Sequence, residues 1–344
     1  MNGKYDFPYE IRDVDSETAQ RIMKYFKGER TGYVKVGPKG YFFPNKYKLE
    51  AAKIYNMPVR PDDVFVDSYP RSGTTWTQEL VWMIANDLDY ETSDAIPLTE
   101  RYPFLEFTMC VHPELMKEFE ADNCDSKEKM RLLKAVTQPG REQLALTPSP
   151  RFIKTHLPLS LLPPNLLNTA KLIYVARDPR DVAVSFYHLN KLMRTQGYEG
   201  DFKNYWYHFK SGLHHWTPYF EHLKEAWEKR HHPNLLFLFY EELSKDLPAA
   251  VRRVAKFFKK EFTDEEIACL CDHLSIENFK NNKSVNYDVM RVLKISKAGE
   301  AAFIRKGKAG GWRDYFDEEM TEQAERWIAD NLRDTDLRFP HMDI

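Results

Sequence analysis

The chain has 344 residues, which is long enough for one large α/β domain or two small ones. Hydrophobic residues make up 42% of it and aromatic residues 14%, so it can bury a full core and still line an apolar pocket with aromatic rings. The net charge of −2 argues against a nucleic-acid partner bound over the whole surface, so any bound anion must be held by a local cluster of cations.

The chain before the first motif is predicted as an N-terminal arm and hairpin, over about residues 1–60. Residues 1–30 are mostly polar, which is typical of a surface arm, with a short helix expected over residues 16–26. Residues 33–42 predict a hairpin that turns at the Gly-Pro-Lys-Gly of residues 37–40.

The stretch from Asp67 to Trp76 reads Asp-Ser-Tyr-Pro-Arg-Ser-Gly-Thr-Thr-Trp and is the first candidate site. An apolar strand at residues 64–68 leads into it, and apolar residues at helical spacing predict a helix over residues 75–85. A strand, a tight loop and a helix in this order gather backbone amides around an anion. An ordinary turn between strand and helix is the alternative interpretation.

The side chains of this loop favour a phosphate over the ordinary turn. Gly73 lets the backbone approach a phosphate closely, and Thr74 and Thr75 offer hydroxyls beside the helix N-terminus. Arg71 adds a fixed positive charge with several donors.

Three later apolar runs, at residues 151–155, 171–176 and 235–240, alternate with helical patterns and predict a mostly parallel sheet flanked by helices. Several helix starts are also predicted. Asp178 and Thr217, each followed by proline, are expected N-caps, and Thr263 with Glu266 forms an expected capping box. Apolar residues between positions 320 and 331 predict a final helix.

In an open parallel sheet, ligands bind outside the carboxyl ends of the strands. Here the first strand ends at Arg71, the second in Lys154-Thr155-His156, the third at Arg177 and the fourth at Tyr240. Cations at three of the four ends, together with a histidine, predict an anion-binding cleft at this edge.

His156 and Lys154 lie two residues apart and should share a face of their strand. The histidine would take a proton from an acceptor hydroxyl, since its ordinary pKa is close to neutral. The lysine would stabilise negative charge on a leaving group. The alternative is that His156 is a hydrogen-bonded turn residue.

Arg177 precedes a capped helix that contains Ser185, and both can meet one phosphate only if the arginine extends along the helix. Pairing of Arg177 with Asp178 or Asp181 is the alternative. Residues 303–312 form a second basic, glycine-rich loop, suited to another phosphate or to plain solvation.

Two absences bear on the reaction. Neither the Gly-x-x-x-x-Gly-Lys-Ser/Thr loop nor an acidic cluster for a metal is found in the sequence, and Cys110, Cys124, Cys269 and Cys271 lack metal-ligand spacing. Phosphoryl transfer normally uses magnesium, so a P-loop kinase is disfavoured. With no signal peptide and no apolar run long enough to cross a bilayer, the sequence predicts a cytoplasmic protein without metal, membrane or nucleic-acid partners.

Four segments together resemble the cytosolic sulfotransferase family. They are residues 69–76 (Tyr-Pro-Arg-Ser-Gly-Thr-Thr-Trp), 154–158 (Lys-Thr-His-Leu-Pro), 176–185 (Ala-Arg-x-x-x-Asp-Val-x-Val-Ser) and 305–310 (Arg-Lys-Gly-x-x-Gly). The resemblance covers about residues 60–316 and implies a P-loop-like three-layer α/β fold in a single domain over residues 1–344. It also implies transfer of a sulfuryl group from 3′-phosphoadenosine 5′-phosphosulfate (PAPS), leaving PAP, without a metal.

The resemblance implies roles for individual residues. His156 would be the general base, and Lys154 and Arg71 would stabilise the departing phosphate oxygen. Phe104, Lys154 and His156 would contact the acceptor. The implied cofactor-binding residues are Arg71, Ser72, Gly73, Thr74, Thr75, Trp76, Arg177, Ser185, Tyr240, Leu274, Ile276, Phe303, Arg305, Lys306 and Gly307.

The chain departs from the family pattern at several positions. Arg71 stands where the family usually has lysine, and Leu274 and Ile276 stand where it commonly has threonine and phenylalanine. The family's dimer motif would fall on residues 313–322, but Asp317-Glu318 replaces its Thr-Val. A homodimer is therefore possible without that motif.

An insertion over about residues 108–150 makes the chain longer than usual for the family, similar to the insect branch that includes retinol dehydratase. Its charged segment predicts a helix or two and a lid, which would suit a large apolar alcohol by excluding water. The expected activity is sulfation of a phenol, steroid or other lipophilic alcohol, of xenobiotic or endogenous origin. Dehydration through a sulfated intermediate and an inactive carrier of lipophilic ligands are the alternatives.

Overall fold

The computed structural model describes residues 6–299, 303–304 and 309–340. Arg305, Lys306 and Gly307, predicted to bind the cofactor, lie outside these residues. The strands are β1 (Ile11–Asp13), β2 (Tyr33–Val36), β3 (Tyr41–Pro44), β4 (Val64–Asp67), β5 (Phe152–Thr155), β6 (Lys171–Ala176) and β7 (Leu235–Phe239). The first nine helices are α1 (Ser16–Met23), α2 (Tyr47–Tyr55), α3 (Thr74–Ala85), α4 (Tyr90–Ala95), α5 (Leu98–Arg101), α6 (Pro113–Asn123), α7 (Lys127–Val136), α8 (Gly140–Leu146) and α9 (Leu166–Thr169). They are followed by α10 (Pro179–Leu192), α11 (Phe202–Lys210), α12 (Tyr219–Glu228), α13 (Tyr240–Lys245), α14 (Leu247–Phe258), α15 (Asp264–His273), α16 (Ile276–Asn281), α17 (Asp288–Val292) and α18 (Glu318–Leu332).

The four predicted strands of the site form a parallel sheet in the order β5-β4-β6-β7. Alternate side chains of a strand point to opposite faces. Val64 and Val66 accordingly pack in one cluster with residues of α3 and α14, while Phe65 packs in another with residues of α10 and α12. The sheet is buried between two helical layers, so the predicted three-layer α/β fold is confirmed.

The N-terminal segment is mostly at the surface, carries the predicted short helix as α1, and adds a strand that was not predicted. The hairpin of β2 and β3 is confirmed, but β1 pairs with β2 to complete a three-stranded antiparallel sheet. Phe42 and Phe43 are fully buried, and Ile22 and Phe26 are buried beside them in the same core. Ile22 and Phe26 thus attach the mostly polar N-terminal segment to the core of the domain.

The helix signals are largely confirmed. The Asp178 carboxylate accepts from the backbone N–H of Arg180, and Thr263 and Glu266 form the capping box. Thr217 does not cap α12, because its hydroxyl donates to the carbonyl of His214 instead. None of the described helices is long and apolar enough to cross a membrane.

Residues 108–150 fold into α6, α7 and α8 after a short 3-10 helix, Phe107–Cys110. Phe119 and Leu133 from this segment pack in a cluster with Met193, Met290 and Leu293. The Asn123 side chain also donates to the carbonyl of Leu293 at 2.9 Å. The inserted helices thus lie directly behind two cavity-lining methionines, Met193 and Met290.

Candidate active site

A cavity of about 230 Å³ lies at the carboxyl end of the parallel sheet. Its walls include Arg71 after β4, His156 after β5, Arg177 after β6 and Tyr240 after β7. The strand register therefore brings together all four strand-end groups that the sequence singled out.

The loop after β4 is folded tightly at Gly73, which has φ of 102° and begins α3. A Cβ added there would lie 2.7 Å from Cδ2 of Tyr240, so only glycine fits both the backbone and the space. Thr74 and Ser68 share a hydrogen bond of 2.6 Å between their hydroxyls, which fixes the loop to the end of β4. The Ser72 hydroxyl is buried and meets no partner among the described residues.

Arg71 reaches across the cavity toward the second predicted phosphate region. Its Nε donates to the Ser185 hydroxyl at 3.0 Å, and its Nη2 donates to the Phe303 carbonyl at 2.9 Å. The guanidinium also lies 4.8 Å from the centre of the Phe303 ring. In this structure the Arg71 side chain therefore contacts two other predicted cofactor-binding residues, Ser185 and Phe303, which are far from it in the sequence.

Arg177 lies beside the same loop and does not pair closely with Asp178. Its guanidinium stacks over the Tyr240 ring at 4.1 Å and donates to the Arg71 carbonyl at 3.3 Å. Asp181 is 3.8 Å away and accepts from the backbone N–H groups of Gly310 and Trp312. The alternative ion pair with Asp181 is thus partly formed, and Asp181 mainly holds the end of the late glycine-rich loop.

The side wall near α3 is formed by Trp76, Tyr240, Leu274 and Ile276. The indole N–H of Trp76 donates to the Leu274 carbonyl at 2.9 Å, and its ring lies 5.7 Å from that of Tyr240. Leu274 is fully buried, whereas Ile276 is 41% exposed at the edge of the cavity. These residues give the cavity a wall of two mutually tilted aromatic rings with an aliphatic edge.

His156 is held in one tautomer by the backbone. Its Nδ1 lies 2.7 Å from the Ser68 carbonyl, which can only accept, so Nδ1 carries the proton and Nε2 is left to receive one. The ring is buried at the cavity wall, in edge contact with Phe104 and Trp216. Burial, together with the nearby Lys154 charge, lowers the pKa of His156 well below its ordinary value.

Lys154 lies on the same wall as His156 and is only 6% exposed. Its Nζ is 4.5 Å from the centre of the Phe104 ring and donates to the Tyr287 hydroxyl at 3.4 Å. Tyr287 in turn stacks on Phe303 with 4.2 Å between ring centres. The predicted lysine–histidine pair is thus present, surrounded by aromatic rings.

Sequence reasoning missed Glu106, which supports this pair from behind. Its carboxylate accepts from the His156 backbone N–H at 2.6 Å and from the Thr155 hydroxyl at 2.9 Å. Complete burial raises the pKa of Glu106 to about 7, against the lowering effect of these two hydrogen bonds. Its signal was a single acidic residue inside the apolar run Phe104-Leu105-Glu106-Phe107.

The remainder of the cavity is largely apolar. Its walls there include Phe104, Phe107, Val184, Phe186, Leu189, Met193, Trp216 and Met290. In the described part of the chain, no three histidine, cysteine, aspartate or glutamate side chains come together as possible metal ligands. The site thus joins a cationic end, a neutral imidazole and an apolar chamber.

The family model described as a sulfotransferase domain matches residues 61–336. The chain belongs to the sulfotransferase family. Luciferin sulfotransferase of Photinus pyralis is 35% identical over 311 residues, which are 87% of this chain and 80% of that one. Sulfotransferase 1B1 of Canis lupus familiaris is 32% identical over 300 residues, covering 87% of this chain and 92% of the relative.

Two solved structures of retinol dehydratase are also similar to this sulfotransferase. One contains androsterone and the inactive cofactor PAP, with a TM-score of 0.92 and 51% identity over 98% of this chain and all of that one. The other contains retinol and PAP, with a TM-score of 0.91 at the same identity. The predicted resemblance to the branch that includes retinol dehydratase is therefore confirmed.

Proposed function

We propose that this sulfotransferase moves a sulfuryl group from PAPS to the hydroxyl of a small lipophilic acceptor, such as a phenol, a steroid or another alcohol. The observation that carries the proposal is the position of His156. Its ring lines an apolar chamber at the point where that chamber meets the cationic strand–loop–helix. An apolar alcohol in the chamber would therefore present its hydroxyl between a base and a bound anionic donor.

The residues at the cationic end fit a nucleotide that carries two phosphate groups. The loop of residues 71–76, which opens α3, would hold the 5′-phosphosulfate with its backbone amides. Arg177 and Ser185 would hold the 3′-phosphate together with residues 305–307, and Trp76, Tyr240, Leu274 and Ile276 would enclose the adenine. The buried Ser72 hydroxyl has no hydrogen-bond partner in the described part of the chain, and this, with the space kept open at Gly73, supports the assignment.

Replacing Gly73 with alanine should weaken PAP binding by about tenfold or more, since the new methyl group would meet Tyr240 and strain the positive φ. Calorimetric titration of PAP into the purified chain measures the effect. Gly299→Ala is the matched control, because Gly299 has φ of +82° but none of the described residues places an atom within 4 Å of the added Cβ. Equal affinities in wild type and Gly73→Ala would contradict the assignment.

In the transfer step, PAPS would supply an activated sulfuryl group. His156 Nε2 would take the acceptor's proton, and the Ser68 carbonyl would stabilise the imidazolium that forms. Lys154 would stabilise the negative charge on the departing phosphate oxygen. Arg71 is expected to help with that charge, although in this structure its guanidinium bonds Ser185 and Phe303.

A second candidate function is net dehydration of an allylic alcohol. It is favoured by the 51% identity to retinol dehydratase, one structure of which contains retinol. The chemistry would begin with the same transfer. The C–O bond of the sulfate ester would then break, sulfate would leave as an anion, and the remaining carbocation would lose a proton from carbon. The apolar, aromatic chamber would exclude water from the cation formed in between.

Product analysis separates these functions. We expect turnover of labelled PAPS with at least one member of a panel of phenols, hydroxysteroids and retinol, without added metal. Mass spectrometry should find the sulfate ester of phenols and steroids. From retinol, a stable ester would contradict dehydration, whereas a product lighter by one water would establish it. Turnover of ATP with magnesium and none with PAPS would overturn the proposal.

Three further points remain predictions. We expect the enzyme to act in the cytoplasm. We expect any homodimer to use a surface other than the altered motif at residues 313–322. We also expect residues 108–150 to act as a lid over the acceptor. Expression of the enzyme with residues 108–150 replaced by a short linker would test the lid, since loss of the lid should raise hydrolysis of retinyl intermediates.

A further inference from the structure

A fully buried carboxylate, Glu79, lies one helical turn after Trp76 on α3 and has no role in the transfer step. Residues three apart on a helix share a face, so Glu79 and Trp76 point toward the same neighbouring segments. A buried carboxylate is tolerated only when donors surround it. Its partners therefore show what this carboxylate holds together.

Three side chains from different helices donate to Glu79. Ser93 Oγ and His273 Nε2 donate to Oε1, the latter at 2.9 Å, and Arg101 Nη2 donates to Oε2 at 2.7 Å. Burial alone would raise the pKa of Glu79, but the hydrogen bonds from His273, Arg101 and Ser93 hold it below its ordinary value. Glu79 is thus an ionised centre that joins α3, α4, α5 and α15.

The contact with His273 leads to the cofactor wall. His273 is the last residue of α15, and the next residue, Leu274, accepts the indole N–H of Trp76 at 2.9 Å. Two side chains one turn apart on α3, Glu79 and Trp76, therefore bind the consecutive residues His273 and Leu274. Because Trp76 and Leu274 both line the cavity, Glu79 fixes the distance between the two sides of the proposed adenine site.

The contact with Arg101 leads to the acceptor wall. Arg101 ends α5, and the chain that follows pairs with the backbone of β5. The Lys154 backbone N–H donates to the Pro103 carbonyl at 3.1 Å, and the Lys154 carbonyl accepts from the Leu105 N–H at 2.9 Å. Phe104, between these two bonds, lines the cavity beside Lys154. Glu79 thus holds the start of the segment that places Phe104 against the catalytic pair.

We propose that Glu79 is a positioning residue that sets the cofactor wall through His273 and the acceptor wall through Arg101. Glu79 touches neither ligand. The inference rests on the proposed function, because it assigns the two walls to PAPS and to the acceptor.

The test breaks the two connections separately in the full-length enzyme. His273→Leu removes one donor and should raise the dissociation constant of PAP about tenfold, with the acceptor KM almost unchanged. Arg101→Met should show the opposite pattern, with an acceptor KM raised about tenfold and nearly normal PAP binding. His273→Gln and Arg101→Lys, which keep a donor toward Glu79, should restore most of each loss.

Calorimetry with PAP and steady-state kinetics with a phenol or retinol provide the readouts. Equal changes of both constants in each variant, or a fall in unfolding temperature with unchanged constants, would overturn the inference. If Arg101→Met does not fold, the comparison of His273→Leu with His273→Gln decides alone, since both variants leave Glu79 paired with Arg101 and Ser93. Failure of the wild-type enzyme to bind PAP would instead overturn the proposed function and this inference with it.

Discussion

Replacing His156 with alanine is expected to lower kcat by about 100-fold to 10,000-fold while PAP binding stays close to that of the wild type. In the proposed mechanism the imidazole is the base at the acceptor end of the cavity, so its loss would remove proton abstraction but no cofactor contact proposed above. Sulfated product formed from labelled PAPS measures the first effect, and calorimetry with PAP measures the second. His231→Ala, at an exposed position, is the control and should retain full activity. Unchanged turnover in His156→Ala would exclude His156 as the base.

The pH profile of the wild-type enzyme gives an independent check on the same residue. If His156 is the base, its neutral form is the reactive one, and burial together with the Lys154 charge lowers the pKa of His156 well below its ordinary value. The value of kcat/KM should therefore stay nearly constant as the pH falls through 6.5 and decline only at lower pH. The unfolded chain would take up a proton on this histidine near its ordinary pKa, so stability also falls as the pH drops below that value. Circular dichroism at each pH must confirm that the enzyme is still folded.

Replacing Lys154 with methionine is expected to lower kcat by about 100-fold to 1,000-fold, because methionine keeps the bulk but not the charge that would stabilise the departing oxygen. Its ammonium group lies between the Phe104 and Tyr287 rings, and its low exposure lets the charge act more strongly on neighbouring groups than it would in bulk water. Steady-state kinetics with saturating PAPS measures the change, and the acceptor KM should move little by comparison.

Lys154→Arg separates charge from packing. Arginine keeps the positive charge in a bulkier, planar group, so it should recover part of the lost rate without full activity. A methionine variant as active as the wild type would show that the lysine has no electrostatic role. If the kcat of Lys154→Arg is as low as that of Lys154→Met, the exact position of the ammonium group decides the rate.

The parts of the fold that were predictable from sequence are those where local pattern and burial agree. Val64–Asp67 and Lys171–Ala176 are largely apolar runs, as expected for strands covered on both faces, and the helix after the second run begins at the predicted Asp178 cap. The strand-end residues could be placed together because parallel strands share one carboxyl edge. Lys154 and His156 followed from the period of two along β5.

The parts that escaped prediction depend on contacts between distant segments. The three-stranded N-terminal sheet needs β1 to pair with β2 across the intervening helix, and the polar average of residues 1–30 hid the buried Ile22 and Phe26. Glu106 and Tyr287 come from segments with weak periodicity. Glu106 reaches the site because its segment pairs with β5, and Tyr287 reaches it by stacking on Phe303. The direction of the Arg71 side chain depends on Ser185 and Phe303, which are 114 and 232 residues away in the sequence.

That last separation has a consequence for how the enzyme is made. A ribosome adds roughly 5–20 residues per second, so about 10 to 50 seconds pass between the synthesis of Arg71 and that of its partner Phe303. The cavity draws residues from Pro70 through Gly311, and during this interval its aromatic walls have no complete counterpart. A nascent chain stopped before Gly311 would expose these rings to water and to other chains. We therefore expect chaperones to bind the unfinished polypeptide, and PAP to begin protecting it from proteases only after nearly the whole sequence has emerged.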